Sequence, residues 1–328
     1  MMNRAGHGIG IPLLLGAVTA SSACAQPAAI APAPGFAFAT AAEARAVLSA
    51  RDDYVRATSS LERSARLRTA DNVDEERFIR YMQDAAREWT DEQQKKLAPL
   101  IERLEQFLRG MKWKLPERVL IIQADASFED DSPHTRANAI VLPATYYPRG
   151  PGLLAYVLSH EAFHVLTRYN SELKERLYAA IGFRRCEAVT IPPAIIRLRI
   201  TNPDAVESRH TILVRYQGRA VEALPFVRFP SENIDPRAGF LSYLQNAWLL
   251  VDRADNECRA RRGADNGVPP QAFEGLHEQV GRNTDYLYHP EEILADNFSR
   301  LYLTSLRGST EGVPSPEILE KLRQILFE

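Results

Sequence analysis

The 328-residue chain has almost no excess charge of either sign: 40 lysines and arginines face 42 aspartates and glutamates, for a formal net charge of −2. Such a balance creates no overall field to gather nucleic acid or an anionic lipid surface, so a partner must be read from a local site. Cysteine is scarce at three residues, and histidine is limited to seven. Internal repeats, a glycine-rich phosphate loop and a basic stripe with interleaved aromatics are missing, which removes the usual signatures of repeat arrays and nucleic-acid surfaces. Long hydrophobic runs are lacking too. The apolar run GIGIPLLLGAVTA after Arg4 spans about 13 residues, too short for a helix to cross roughly 30 Å of hydrocarbon. What remains is an ordinary globular composition, 45% hydrophobic and 25% charged, enough for one large domain or two modest ones.

That apolar run, preceded by Arg4 and followed by small residues ending in SSACAQP, has the layout of a secretory signal peptide covering residues 1–25. Ala23 and Ala25 offer an A-x-A cleavage site. Acylation of Cys24 would make a lipoprotein instead, but Ser21 stands where a lipobox usually carries a large aliphatic residue. The expectation is an exported protein, periplasmic or secreted, without a transmembrane span in the mature chain. Export leaves Cys186 and Cys258 as an even pair in an oxidising compartment, which favours a disulfide. Linking residues 72 apart would stabilise the fold by up to roughly 4 kcal/mol through loop-closure entropy.

Residues 26–39 are rich in proline and alanine and read as an extended linker. Residues 40–115 form a helical region of two or three amphipathic helices, with Leu97, Leu100, Ile101, Leu104 and Leu108 at helical spacing. These helices pack on the core or, in a sharper reading, act as a prosegment or lid. From residue 116 to 328 strands and helices mix, giving an α+β fold class. ERVLIIQAD and RANAIVLP read as short strands, the second either a core strand or a sheet edge that pairs with an extended peptide. RGPGLLAYVLSHEAFHVLTRYN reads as a helix, a strand-rich stretch covers about 186–260, and HPEEILADNFSRLYLTSL returns to helix. TILVRYQGRAVEALPFVRF reads as a hairpin around Gly218, while AGFLSYLQNAWLLVDR fits a strand or a buried helix equally.

The chemistry is concentrated in HEAFH. On a helix, His160 and His164 lie one turn apart on one face and can present ring nitrogens to a single cation, with Glu161 beside them. A glutamate there need not bind the metal. It can take a proton from a water whose pKa the metal has lowered. Two imidazoles and a carboxylate amid LLAYVL and VLTRY would be costly to bury without something to coordinate them.

A catalytic zinc needs a third protein ligand and an open position. YHPEEILADNF carries Glu292 and Asp296, again one turn apart. Together, His160-Glu161-Ala162-Phe163-His164 and Glu292-Ile293-Leu294-Ala295-Asp296 resemble the gluzincin type of zincin metallopeptidase, in which H-E-x-x-H is followed by a helix carrying E-x-x-x-D. The resemblance implies a zincin-like core and Zn2+ held by His160, His164 and Glu292. It makes Glu161 the general base and Asp296 the carboxylate that orients a ligand imidazole. It covers the two helices only, and the long gap between them points to a family-specific, strand-rich insertion.

Several residues keep a second role open. Glu291 and Glu292 suit the positive start of a helix opened by Pro290, and Glu291 is an alternative ligand. His210, His277 and His289 are other third-ligand choices, and Arg282, Tyr286, Tyr288 and His289 are possible oxyanion donors. The function expected is an exported zinc-dependent peptidase acting on a peptide or protein substrate, with no nucleic-acid partner. The alternatives are an envelope binding or scaffold protein that retains a zinc site without proteolysis, and a zinc hydrolase of non-peptide amides.

Overall fold

The structure is a computed structural model that describes residues 35–261 and 267–328. The expected signal peptide, residues 1–25, and the expected linker up to residue 34 lie outside the described residues. The remainder of the expected linker is strand β1 (Gly35–Phe38). Phe36 and Phe38 pack on the core, with the Phe38 ring 5.4 Å from Trp89, and that burial extends regular structure back from the expected start at Thr40.

The helical region that follows contains α1 (Ala41–Leu48), α2 (Asp53–Ala57), α3 (Ser60–Arg66), α4 (Glu75–Asp84) and α5 (Asp91–Arg109). Five helices stand where spacing alone suggested two or three. The reason is capping: the side chains of Thr40, Asp52, Ser59, Asp74 and Thr90 each accept the amide hydrogen three residues on, which restarts the helix each time. Strand β2 (Ala86–Arg87) separates α4 from α5.

Strands β3 (Arg118–Ala124), β4 (His134–Arg136) and β5 (Ala139–Pro143) complete a five-stranded sheet. The order is β1-β3-β5-β4, parallel except for β4, with β2 pairing antiparallel to β3. RANAIVLP therefore contributes the interior strand β5, and β4 is the edge. Val119, Ile121, Ile140 and Leu142 face one core, while Leu120, Ile122, Ala139 and Val141 face a second core built with α1 and α4. Alternate residues serve opposite faces, which is why these strands read as unbroken apolar runs. The helical region and the chain after residue 116 share this one sheet.

Helices α6 (Pro151–Tyr169) and α7 (Ser171–Ala180) follow. Next come β6 (Phe183–Arg185), β7 (Ala188–Thr190), the short α8 (Pro193–Ile196), β8 (His210–Tyr216) and β9 (Arg219–Leu224). Strands β10 (Val227–Arg228) and β11 (Gln245–Asn246) form a small ribbon, and β12 (Leu249–Ala254) and β13 (Glu257–Ala260) finish the strand-rich part. The second sheet runs β6-β8-β9-β12-β13-β7. Its β8–β9 hairpin turns at Gln217 and Gly218, both at positive φ (51° and 72°), as a tight two-residue turn requires. The ambiguous stretch after Ala238 resolves into a 3-10 turn at Phe240–Tyr243 followed by β11 and β12. Cys186 and Cys258 form a disulfide within this part, with Cα atoms 5.9 Å apart.

The chain ends in α9 (His277–Val280), α10 (Pro290–Arg307) and α11 (Pro316–Phe327). Gly308, at φ 68°, stops α10 in the left-handed conformation that suits glycine. Among the described residues no helix is long and apolar enough to cross a membrane.

Candidate metal centre

Helix α6 is buried around most of its circumference from Leu154 to Thr167, so its polar residues need partners inside the protein. Helix α10 supplies them. The two helices are locked by apolar contact, with the Phe163 and Phe298 rings 5.3 Å apart. Ser299 Oγ also donates to the Tyr156 carbonyl at 3.1 Å. This packing brings the first two turns of α10 against the histidine face of α6.

Glu292 Oε2 lies 3.2 Å from His160 Nε2 and 3.6 Å from His164 Nε2. One donor atom from each of the three residues falls within 4.8 Å of the others. A tetrahedral ion with arms of about 2.0–2.1 Å sets its ligand atoms about 3.3 Å apart, so these separations fit a metal. His164, 1% exposed, has no hydrogen-bond partner for Nε2, and Glu161 has none for Oε2. Unpartnered polar atoms at that depth are costly unless a cation or a reacting group completes them.

Each imidazole has a carboxylate on its other nitrogen. His164 Nδ1 lies 3.1 Å from Glu291 Oε1. Glu291 in turn accepts from Tyr178 Oη at 2.5 Å and from the Thr167 hydroxyl. His160 Nδ1 is 3.1 Å from Asp296 Oδ1, though poorly aligned for a hydrogen bond. Asp296 accepts from the Tyr156 and Thr284 hydroxyls. Glu291 therefore reaches an imidazole from the first turn of α10, as the helix-start reading has it, and it is not a member of either possible metal group among the described residues. Asp296 lies beside the second imidazole, one turn on from Glu292. Carboxylates at this position fix ring orientation and raise ligand basicity.

The charges respond to this packing. Burial opposes protonation of His160, yet Asp296 and Glu292 hold its imidazole up at about 10. Burial, with Asp204 adding to it, pushes Glu161 up to about 8. Burial would also raise Glu291, but His164 and Lys174 outweigh it and bring the carboxyl down to about 2. Glu292 is held well below the usual carboxylate range by the two imidazoles, against its own desolvation.

The centre opens into a cavity of about 420 Å³ lined by Tyr146, Tyr156, Tyr286, Tyr288, Leu241 and Asp204 among others. Of the four oxyanion possibilities, Tyr286 and Tyr288 line it, while Arg282 and His289 do not. His289 instead caps α10, where Nδ1 accepts the Glu291 amide at 3.1 Å and Nε2 faces the Glu207 carbonyl. His210 pairs with Glu175 at 3.1 Å, and His277 with the Gly281 carbonyl at 3.0 Å. None of these three histidines joins the metal group.

Sequence reasoning missed several members of the site. Tyr156 and Thr167 sit four before His160 and three after His164, a spacing that would have found them. Asn202 and Asp204 carry no such signal. Asn202 Nδ2 donates to Glu292 Oε1 at 2.5 Å. Asp204 groups with Glu161 and His164 as a second set of possible ligands and accepts the Thr135 amide of β4 at 2.7 Å. No protein-family model, curated protein or solved structure matches the chain, so the chemistry of this centre is read from its own residues.

Proposed function

We propose that the chain is an exported zinc-dependent metallopeptidase with a zincin-like core of the gluzincin type. The observation that carries this reading is the convergence of His160 Nε2, His164 Nε2 and Glu292 Oε2 beside Glu161, whose Oε2 has no partner. Two imidazoles and one carboxylate are a donor set that suits zinc and leaves a position open. Zinc held there would supply Lewis acidity and lower the pKa of a coordinated water towards 7.

The protein's own residues do the rest. Glu161 takes the proton of the attacking water and passes it to the leaving amine. Tyr286 and Tyr288, on the cavity wall, offer phenolic hydroxyls to a developing oxyanion. Glu291 and Asp296 hold the imidazoles in register. The signal-peptide layout and the Cys186–Cys258 disulfide support export.

The test is Glu161→Gln. We expect about one zinc per chain to be retained by elemental analysis while cleavage of a broad peptide library disappears. Unchanged cleavage by that variant refutes the assigned base. One observation favours a second reading, an envelope binding protein with a retained zinc site: the Thr135 amide on edge strand β4 is already taken by Asp204. A library left intact by the zinc-loaded parent protein, with and without chelator, supports that reading instead.

A further inference from the structure

We propose that Asn202 is a positioning residue for the third metal ligand, and that through Thr201 it ties the N-terminal helices to the metal centre. The inference rests on the metal reading above and concerns residues outside both sequence motifs. A carboxylate has two equivalent oxygens and a soft terminal torsion, so a ligand glutamate must be told which oxygen to present. In Glu292 the choice is made by a donor. Asn202 Nδ2 sits 2.5 Å from Oε1, and this leaves Oε2 facing both imidazoles.

The asparagine is itself held in one orientation. Its Oδ1 accepts the Asp204 amide hydrogen at 2.9 Å, which turns the NH2 group towards Glu292. An aspartate could accept that amide but would bring a second carboxylate against Oε1, and an alanine would bring nothing. The segment carrying it is anchored on both sides. Thr201 N donates to Glu62 Oε1 at 2.9 Å, and Arg66 Nη2 donates to the Thr201 carbonyl at 2.9 Å. On the far side of Pro203, Asp204 is bound to the Thr135 amide. Glu62 and Arg66 are fully buried on α3 and play no part in the chemistry proposed above.

A chain of direct contacts thus runs from α3 through Thr201 and Asn202 to Glu292. It assigns the helical region a role in the mature protein, because removing it as a prosegment would strip two anchors from the loop that steers a ligand.

The experiment measures zinc affinity by competition with a chromophoric chelator for the parent protein, Asn202→Ala and the near-isosteric Asn202→Leu. The urea midpoint of each metal-free form is measured in parallel. We expect both variants to bind zinc roughly 10- to 100-fold more weakly, the range for losing a partner of a ligand, with metal-free midpoints close to the parent's. Glu62→Met, which removes the acceptor for Thr201, should show a smaller loss of the same sign. Parent-like affinity in either folded Asn202 variant overturns the positioning role, as does a loss that only tracks metal-free stability. Parent-like affinity in folded Glu62→Met overturns the link to α3. A parent protein that takes up no zinc fails the metallopeptidase reading instead, which keeps the two failures apart.

Discussion

Two clusters of charge are buried in this molecule, and they are completed in opposite ways. Around Arg66, whose side chain is 3% exposed, a permanent cation stands at the centre: Glu62 lies at 2.7 Å, Glu129 is bonded on the other side, and the Phe240 ring stacks 4.0 Å from the guanidinium. Glu62 keeps one oxygen without a partner, and two carboxylates face one guanidinium, which is bonded from both sides. Around His160 and His164 stand the carboxylates of Glu161, Asp204, Glu291, Glu292 and Asp296. The nearest permanent cations are peripheral, Lys174 at 4.0 Å from Glu291 and Arg168 at 3.9 Å from Asp204. The first cluster is built around its own permanent cation. The second has the excess of anionic and lone-pair donors that suits an added cation.

The comparison breaks most visibly if the second cluster behaves like the first. His164→Ala should reduce bound zinc from about one per chain to near zero, read by elemental analysis after dialysis. In the parent protein, zinc at a hundred times its dissociation constant should add about 2.7 kcal/mol to unfolding stability. His164→Ala should lose that increment entirely. Zinc retained at full occupancy in the variant would place the ion somewhere other than between α6 and α10.

The Arg66 cluster predicts a different loss. Arg66→Leu leaves Glu62 and Glu129 buried without their cation, and breaking a buried pair from one side costs about 3–5 kcal/mol. Urea unfolding of the metal-free protein should show a drop of that size. A change under about 1 kcal/mol, the worth of an exposed ion pair, would mean that water screens these groups and that the guanidinium is not what holds them.

These clusters also show what was legible in the sequence. His160, Glu161 and His164 could be read because a helix turns local spacing into a shared face, whereas Glu292 and Asp296, though one turn apart, were tied to them only by the resemblance to the gluzincin pattern. The contact of Glu291 escaped because adjacent residues on a helix point about 100° apart, so it was weighed against Glu292 for one ligand position when it reaches His164 Nδ1 instead. Asn202 lies in a loop whose partners are 90 residues away at Glu292 and 139 at Glu62. No periodicity encodes such contacts. Strand β1 was hidden for a compositional reason, since the proline and alanine around it masked Phe36 and Phe38. The α+β class and the disulfide pair were legible, whereas the order of strands in either sheet depends on pairings between distant segments.

The disulfide offers a control remote from the zinc chemistry. Replacing both Cys186 and Cys258 by serine frees a loop of 72 residues, and the chain-entropy argument puts the loss at up to about 4 kcal/mol. Urea unfolding should register it while zinc stoichiometry stays at about one. A variant that unfolds more readily and also loses zinc would show that the second sheet, not only the loop at Asn202, sets the geometry of the centre.

The smallest effect concerns His134, which lines the same cavity as Arg66, Glu129 and His160 and so lies where the two clusters meet. Burial pushes its imidazole down to about 3, and the positive charges of Arg136, Arg66 and Arg168 add to that. It is therefore neutral in the fold at every pH from 6.5 down towards 3, whereas in the unfolded chain it takes up a proton near 6.5. The unfolded state binds more protons in this window, so stability is full above 6.5 and falls as pH is lowered, by about 1.4 kcal/mol per unit. His289, also held at about 3 by burial, contributes a slope of the same sign, so the total alone cannot isolate His134. His134→Gln separates them: urea unfolding of the metal-free protein at pH 7.5, 6 and 5 should give a pH dependence shallower than the parent's by one proton. Parallel curves would mean that His134 carries a proton in the fold, which would make it a cation of the second cluster and erase part of the contrast with the first.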